Sequence, residues 1–136
     1  MSLRTGPPEA EGDDPAGTAR PHPDQVAVAA GSLGPARLVV LRGDINLASA
    51  EATEQRLAAL VAGASAVVVD VTGVRYLDSS GLTILLGQAR AAAQRDAGFV
   101  VVRGPGAQPL FRLSTVGRAM RVVGSREAAV AELAET

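Results

Sequence analysis

The stretch that most constrains this chain is residues 67 to 90, VVVDVTGVRYLDSSGLTILLGQAR. The apolar run Val67-Val68-Val69-Asp70-Val71 reads as a buried strand, with Thr72-Gly73 as its breaker. A short link, Val74 to Leu77, leads to Asp78-Ser79-Ser80-Gly81. Leu82, Leu85, Leu86, Ala89 and Ala93 then recur at the spacing of one helical face. The two serines therefore stand where a buried strand has ended and a helix begins. The first turn of a helix has backbone N–H groups without intrahelical partners. Asp or Ser there can cap them, and the partial positive charge tolerates an anion. Asp78-Ser79-Ser80 thus has two readings from its chemistry. It is an N-cap with a spare hydroxyl, or one serine is a covalent switch whose phosphoryl group the helix terminus would receive without strain.

The rest of the chain supplies the partners for that unit. Its 136 residues fit one domain. Residues 1 to 24 read as a disordered tail, because five of the eight prolines fall there with little apolar bulk. Residues 25 to 136 form the domain. Val26 to Ala30 and Leu38 to Leu41 read as strands of a hairpin, with Gly31 to Pro35 as the turn and Arg42-Gly43-Asp44 as the stop. Ser49 is placed to cap a first helix, with Glu51 and Glu54 in its first turns and Leu57, Leu60 and Val61 inward. The central helix is expected to close at Gly98 and Phe99 to Val102 to form another strand. Gly104-Pro105-Gly106 reads as a tight loop, Gln108 to Val116 as a short helix, and Met120 to Val123 as a last strand. Ser125 caps a final helix that carries Glu127, Ala128, Ala129 and Leu133. Alternating strands and helices argue for an α/β layer with right-handed crossovers, made mixed by the hairpin. Periodicity is compatible with helices on one face or on both.

Residue inventory narrows the chemistry. There is no Cys and no Lys, and the single histidine, His22, lies in the tail. A serine nucleophile in the domain therefore has no histidine or lysine base, and the P-loop lysine is missing. Metal sites built from His and Cys are excluded as well. Asp70 and Asp78 are two carboxylates that could pair, or else Asp70 ends the strand and Asp78 caps the turn. No cofactor fingerprint is present. A net charge of −1 without a basic block argues against direct DNA binding. No apolar run approaches the ~18 residues of a membrane span, so no membrane insertion is expected. The lack of Cys fits a cytoplasmic location. The chain reads as a binding module and not as an enzyme.

The same central segment, VVVDVTGVRYLDSSGLTILLGQAR, resembles the signature of STAS domains, specifically the bacterial anti-sigma factor antagonists. The likeness extends upstream through LVVLRGDINLASAEATEQRL and downstream through FVVVRGPGAQPLFRLSTVGRAMRVVGSREAAVAEL, covering roughly residues 25 to 134. It implies a mixed sheet of four to five strands with helices packed mainly on one face. It also implies a partner, an anti-sigma factor that is a serine kinase. The unphosphorylated antagonist binds that kinase and frees the sigma factor; phosphorylation breaks the complex, and a metal-dependent phosphatase of the PP2C type restores it. By the family pattern the acceptor is Ser79, with Ser80 the competing residue, since the chemistry of the sequence ranks the two almost equally. Asp78, Ser80 and Gly81 form its setting, and the turn Gly43-Asp44-Ile45-Asn46 matches the loop near the acceptor. Where many members carry Asp, this chain has Asn46, which removes a charge from the docking face or serves as a turn or capping residue. The alternative within the same fold is a non-phosphorylated scaffold subunit of a stress-signalling or lipid-transport complex.

Overall fold

The computed structural model of the protein describes residues 26–106 and 120–135. The expected tail and the expected helix at 108 to 116 lie outside these residues. Five strands are present, β1 (Val26–Leu33), β2 (Ala36–Ile45), β3 (Ala66–Leu77), β4 (Gly98–Val102) and β5 (Arg121–Val123). Three helices accompany them, α1 (Leu47–Val61), α2 (Ser79–Gln94) and α3 (Arg126–Ala134). The sheet order is β1-β2-β3-β4-β5. β1 runs antiparallel to β2, and the other three pairings are parallel.

The hairpin is tighter than the sequence suggests. Leu33 pairs with Ala36, so only Gly34 and Pro35 form the turn. Gly34 has φ +59°, and the proline ring holds the next φ negative, the signs a type II′ turn requires. Two strands also run further than their breakers imply. β2 continues through Arg42-Gly43-Asp44, and β3 continues through Thr72-Gly73 to Leu77. Their pairing shifts register between Val40 and Arg42 and again between Gly43 and Asp44. The glycines mark irregularities inside a continuing ladder, and Gly43 has φ +103°. Both strands consequently end together, with Ile45 opposite Leu77.

Side chains alternate across this sheet into two cores. Val39, Leu41, Val67, Val69, Val71 and Val101 face α1 and α2, meeting Leu57, Val61, Leu82 and Leu85. Leu38, Val68, Val100 and Val102 face the opposite way, where Ala129 and Leu133 of α3 cover them. Crossovers β2-α1-β3 and β3-α2-β4 advance across the sheet in one direction, so right-handedness places both helices on one face. The described helices thus lie mainly on one face, with α3 on the other. Phe99 and Met120 are buried, but the cores are otherwise built from Val, Leu, Ile and Ala.

Helix ends depart from expectation in two places. The cap of α1 is Asn46, not Ser49, and Glu51 and Glu54 lie beyond the first turn. The residue in left-handed conformation after α2 is Asp96, with φ +59°, and Gly98 already belongs to β4. Gly98 instead makes room for α3, because a Cβ there would stand 2.6 Å from Leu133 Cδ2. Within α2, Ile84 and Ala92 are buried while Ala93 is exposed, a small rotation of the expected face.

Candidate functional site

The site lies where β2 and β3 end and α1 and α2 begin. At the first junction Asn46 Oδ1 accepts from Ser49 N (3.2 Å), and Ser49 Oγ accepts from Asn46 N (3.1 Å). This reciprocal pair is a capping box. Ser49 Oγ also donates to Asp44 O (3.0 Å), tying the strand end to the helix start. Asn46 is therefore a capping residue, held by its own helix.

At the second junction Asp78 caps α2. Its Oδ1 accepts from Ser80 N (2.8 Å) and Gly81 N (3.2 Å). Its own N–H donates to Ile45 O (3.1 Å), joining the two junctions directly. Ser79 is the first helical residue and is exposed; Ser80 is half-buried. Neither hydroxyl makes a hydrogen bond among the described residues, whereas Ser79 O accepts from Thr83 Oγ1 (2.8 Å). Gly81 is buried, and a Cβ there would stand 2.7 Å from Ile45 Cγ2 and 3.0 Å from Leu77 Cγ. Glycine at this position lets the start of α2 press onto the ends of both strands. Of the terminus's amides, those of Ser80 and Gly81 are already held by the Asp78 carboxylate.

Asp44 pairs across the strands with Tyr76 and forms an ion pair with Arg75, Nε to Oδ1 3.2 Å. That oxygen accepts no hydrogen bond, and the arginine is largely exposed. Such a pair contributes little to stability. The two junctions thus bring Asp44, Asn46, Asp78, Ser79, Ser80 and Gly81 to one end of the sheet.

Asp70 does not belong to this group. It sits inside β3, buried, and faces α3 instead of ending the strand or pairing with Asp78. Its Oδ2 accepts from Arg126 Nε (2.6 Å), and its Oδ1 from Thr72 N (2.8 Å) and Thr72 Oγ1 (2.6 Å). Burial pushes the carboxyl up, but the Thr72 hydroxyl and amide and the Arg126 guanidinium outweigh it and hold the group below the usual carboxylate range. Among the described residues no three His, Cys, Asp or Glu side chains gather as a metal site would need. No described helix is long and apolar enough to cross a membrane.

A family model described as Mlab, STAS domain, matches residues 28–125. The chain belongs to the STAS domain family. No curated protein matches it in sequence. Among solved structures, this STAS domain is similar to an anti-sigma factor antagonist from Mycobacterium paratuberculosis, at 27% identity and a TM-score of 0.72, over 83% of this chain and 97% of that one. It shares its fold with the anti-sigma factor antagonist SpoIIAA in unphosphorylated form, at 16% identity and a TM-score of 0.62, over 81% and 98% of the two chains. The phosphorylated form of SpoIIAA, from Bacillus, gives 17% identity and a TM-score of 0.57, over 79% and 99%.

Two residues of the STAS domain were missed by sequence reasoning. Leu47, the first residue of α1, is 80% exposed, and Tyr76, beside Leu77 at the end of β3, is 55% exposed. Tyr76 stands two residues before Asp78, and Leu47 two residues after Ile45, whose carbonyl accepts from Asp78 N. The available signal was phase: Leu47 falls off the face defined by Thr53, Leu57 and Val61, and Tyr76 lies between the inward Val74 and Leu77.

Proposed function

We propose that this STAS domain is an anti-sigma factor antagonist that acts in the cytoplasm as a binding module switched by phosphorylation of Ser79. The unphosphorylated form binds an anti-sigma factor serine kinase and releases its sigma factor. Phosphate on Ser79 ends the complex, and a PP2C-type phosphatase restores it. One observation carries the reading. Asp78, and not Ser79, caps α2, which leaves an exposed hydroxyl that makes no hydrogen bond among the described residues at the rim where both helices begin. Likeness to the mycobacterial antagonist supports the role, and the known phosphorylated form of SpoIIAA supports the switch.

The expected acceptor is Ser79 because it is exposed where Ser80 is half-buried. The partner surface takes in Asp44, Asn46, Leu47, Tyr76 and the turn from Asp78 to Ser80, with Gly81 beneath it as packing. Apolar Leu47 and Tyr76 supply contact area, and Ser79 supplies the charge that ends contact. A phosphoryl group adds about −1.5 to −2 charges at neutral pH, enough to oppose docking on a rim that already carries Asp44 and Asp78.

The test is mass spectrometry of the protein isolated from its own cells, followed by phosphorylation and binding assays with the kinase it retains. Wild type should gain one phosphate, Ser79→Ala none, and Ser79→Asp should bind the kinase more weakly than either. Phosphate that persists in Ser79→Ala and disappears in Ser80→Ala would move the acceptor. A chain that never carries phosphate in its cells would instead fit the scaffold-subunit alternative.

A further inference from the structure

We propose that Asp78 is a positioning residue of the switch: by occupying the Ser80 and Gly81 amides at the start of α2 it keeps a phosphoryl group on Ser79 pointing away from its own helix. The inference rests on Ser79 being the acceptor and concerns where its charge goes. An unoccupied helix start offers several amides to a nearby anion. Here Ser80 N and Gly81 N donate to Asp78 Oδ1, and Leu82 N donates to Asp78 O. That leaves Ser79's own amide. Among the described residues no cation pairs with Asp78, and Arg75 is engaged by Asp44. Among the described residues, a phosphoryl group on Ser79 therefore finds no cation and no α2 amide beyond its own. It meets instead a carboxylate one residue away, which opposes any inward turn.

The arrangement has a functional consequence. A phosphoserine captured by its own helix would have part of its charge answered internally and its oxygens held by amides. One kept outward presents its charge undiminished to a docking surface and leaves its ester open to a phosphatase. Asp78 thus separates the cap of the helix from the signal beside it.

The experiment places phosphoserine at position 79 of the full chain by genetic encoding, so it needs no kinase. It compares wild type, Asp78→Asn and Asp78→Ala, each with and without the phosphate. In wild type the phosphate should not raise the melting temperature. Asp78→Ala should melt lower than wild type without phosphate and regain a few degrees with it, because the phosphate takes the vacated donors. Asp78→Asn keeps a side-chain acceptor for those amides, so phosphate should again give no rise. A rise in wild type as large as in Asp78→Ala, or none in Asp78→Ala, would overturn the proposal. A second readout covers the case in which Asp78→Ala does not fold. Phosphorus NMR titration should show the second ionisation of the phosphoserine falling from wild type to Asp78→Asn, since a neighbouring carboxylate disfavours the dianion; an unchanged titration would overturn the proposal. Failure of this pattern is distinct from failure of the proposed function, which appears as a lack of phosphate in the native protein.

Discussion

Asp70 and Asp78 belong to one continuous unit, β3 and the turn into α2, yet their surroundings are opposite. Asp70 is 2% exposed and has both carboxylate oxygens bonded, to Thr72 of its own strand and to Arg126 at the start of α3. Asp78 stands at the rim, gives one oxygen to two amides of α2, and has no cationic partner among the described residues. The first carboxylate anchors a helix to the back of the sheet across 56 residues of sequence. The second organises a single helical turn. The back face is thereby tied by a contact between distant residues, while the Asp78 side chain bonds amides of its own turn.

The sharpest way to break that contrast is to remove Arg126. Cutting one partner from a fully buried pair costs ~3–5 kcal/mol. Arg126 is 45% exposed, so solvent already screens part of the interaction, and we expect about 2–4 kcal/mol from Arg126→Met. Urea unfolding at neutral pH measures it. The pH dependence follows from the same geometry. Asp70 titrates below its unfolded value of 3.8 in the folded protein. Its stabilisation is therefore complete above 3.8 and is lost as pH falls through the lower, folded value. Acid unfolding of wild type should steepen below 3.8, and Asp70→Asn should show a shallower dependence there. Identical acid profiles for the two would show that Asp70 is not stabilised as its contacts imply.

A smaller effect separates the buried floor of the rim from its exposed side. Gly81→Ala places a Cβ 2.7 Å from Ile45 Cγ2, in a region that cannot widen without moving the ends of β2 and β3. Overpacking of this kind costs ~1–3 kcal/mol. A methyl group added at Gly87, in the same helix, would meet nothing within 4 Å, so Gly87→Ala should stabilise by ~0.5–1 kcal/mol through helix propensity. Thermal melts of the two variants should move in opposite directions. A shared direction would mean that propensity, and not contact with Ile45, governs Gly81.

Much of this contrast was readable from the sequence on one side only. The apolar run, the Asp-Ser-Ser-Gly turn and the Leu-rich helix carry their own local signals, and the junction they predict is where the structure places it. Strand ends were misread because Gly43 and Gly73 look like stops, whereas inside a paired ladder they accommodate register shifts. The α1 cap was misplaced by three residues for a related reason: Asn46 and Ser49 are both good capping types, and in a capping box each bonds the other. Asp70 gave no local sign of its partner. Its pairing with Arg126 depends on α3 returning to the far face of the sheet, which no nearby pattern encodes. Leu47 and Tyr76 stand out only once their neighbours are known to point inward.

The smallest expected effect is the most informative about the rim. If Asp78 alone caps α2, removing its carboxylate with Asp78→Ala should cost ~0.5–2 kcal/mol. Ser79→Ala removes an exposed hydroxyl that bonds nothing among the described residues, so stability should stay within ~0.5 kcal/mol of wild type. Ser79→Asp adds an anion at a helix start, worth ~0.3–1 kcal/mol in isolation, but Asp78 lies beside it and like charges offset part of that gain. Its melting temperature should therefore also remain close to wild type. Urea midpoints for the three variants test the division of labour between neighbouring residues. Equal losses in Ser79→Ala and Asp78→Ala would mean that the serine hydroxyl is part of the cap, and a residue required by its own helix would make a poor switch. A stable Ser79→Ala beside a weakened Asp78→Ala would leave Ser79 free to be altered with little effect on anything except what docks against it.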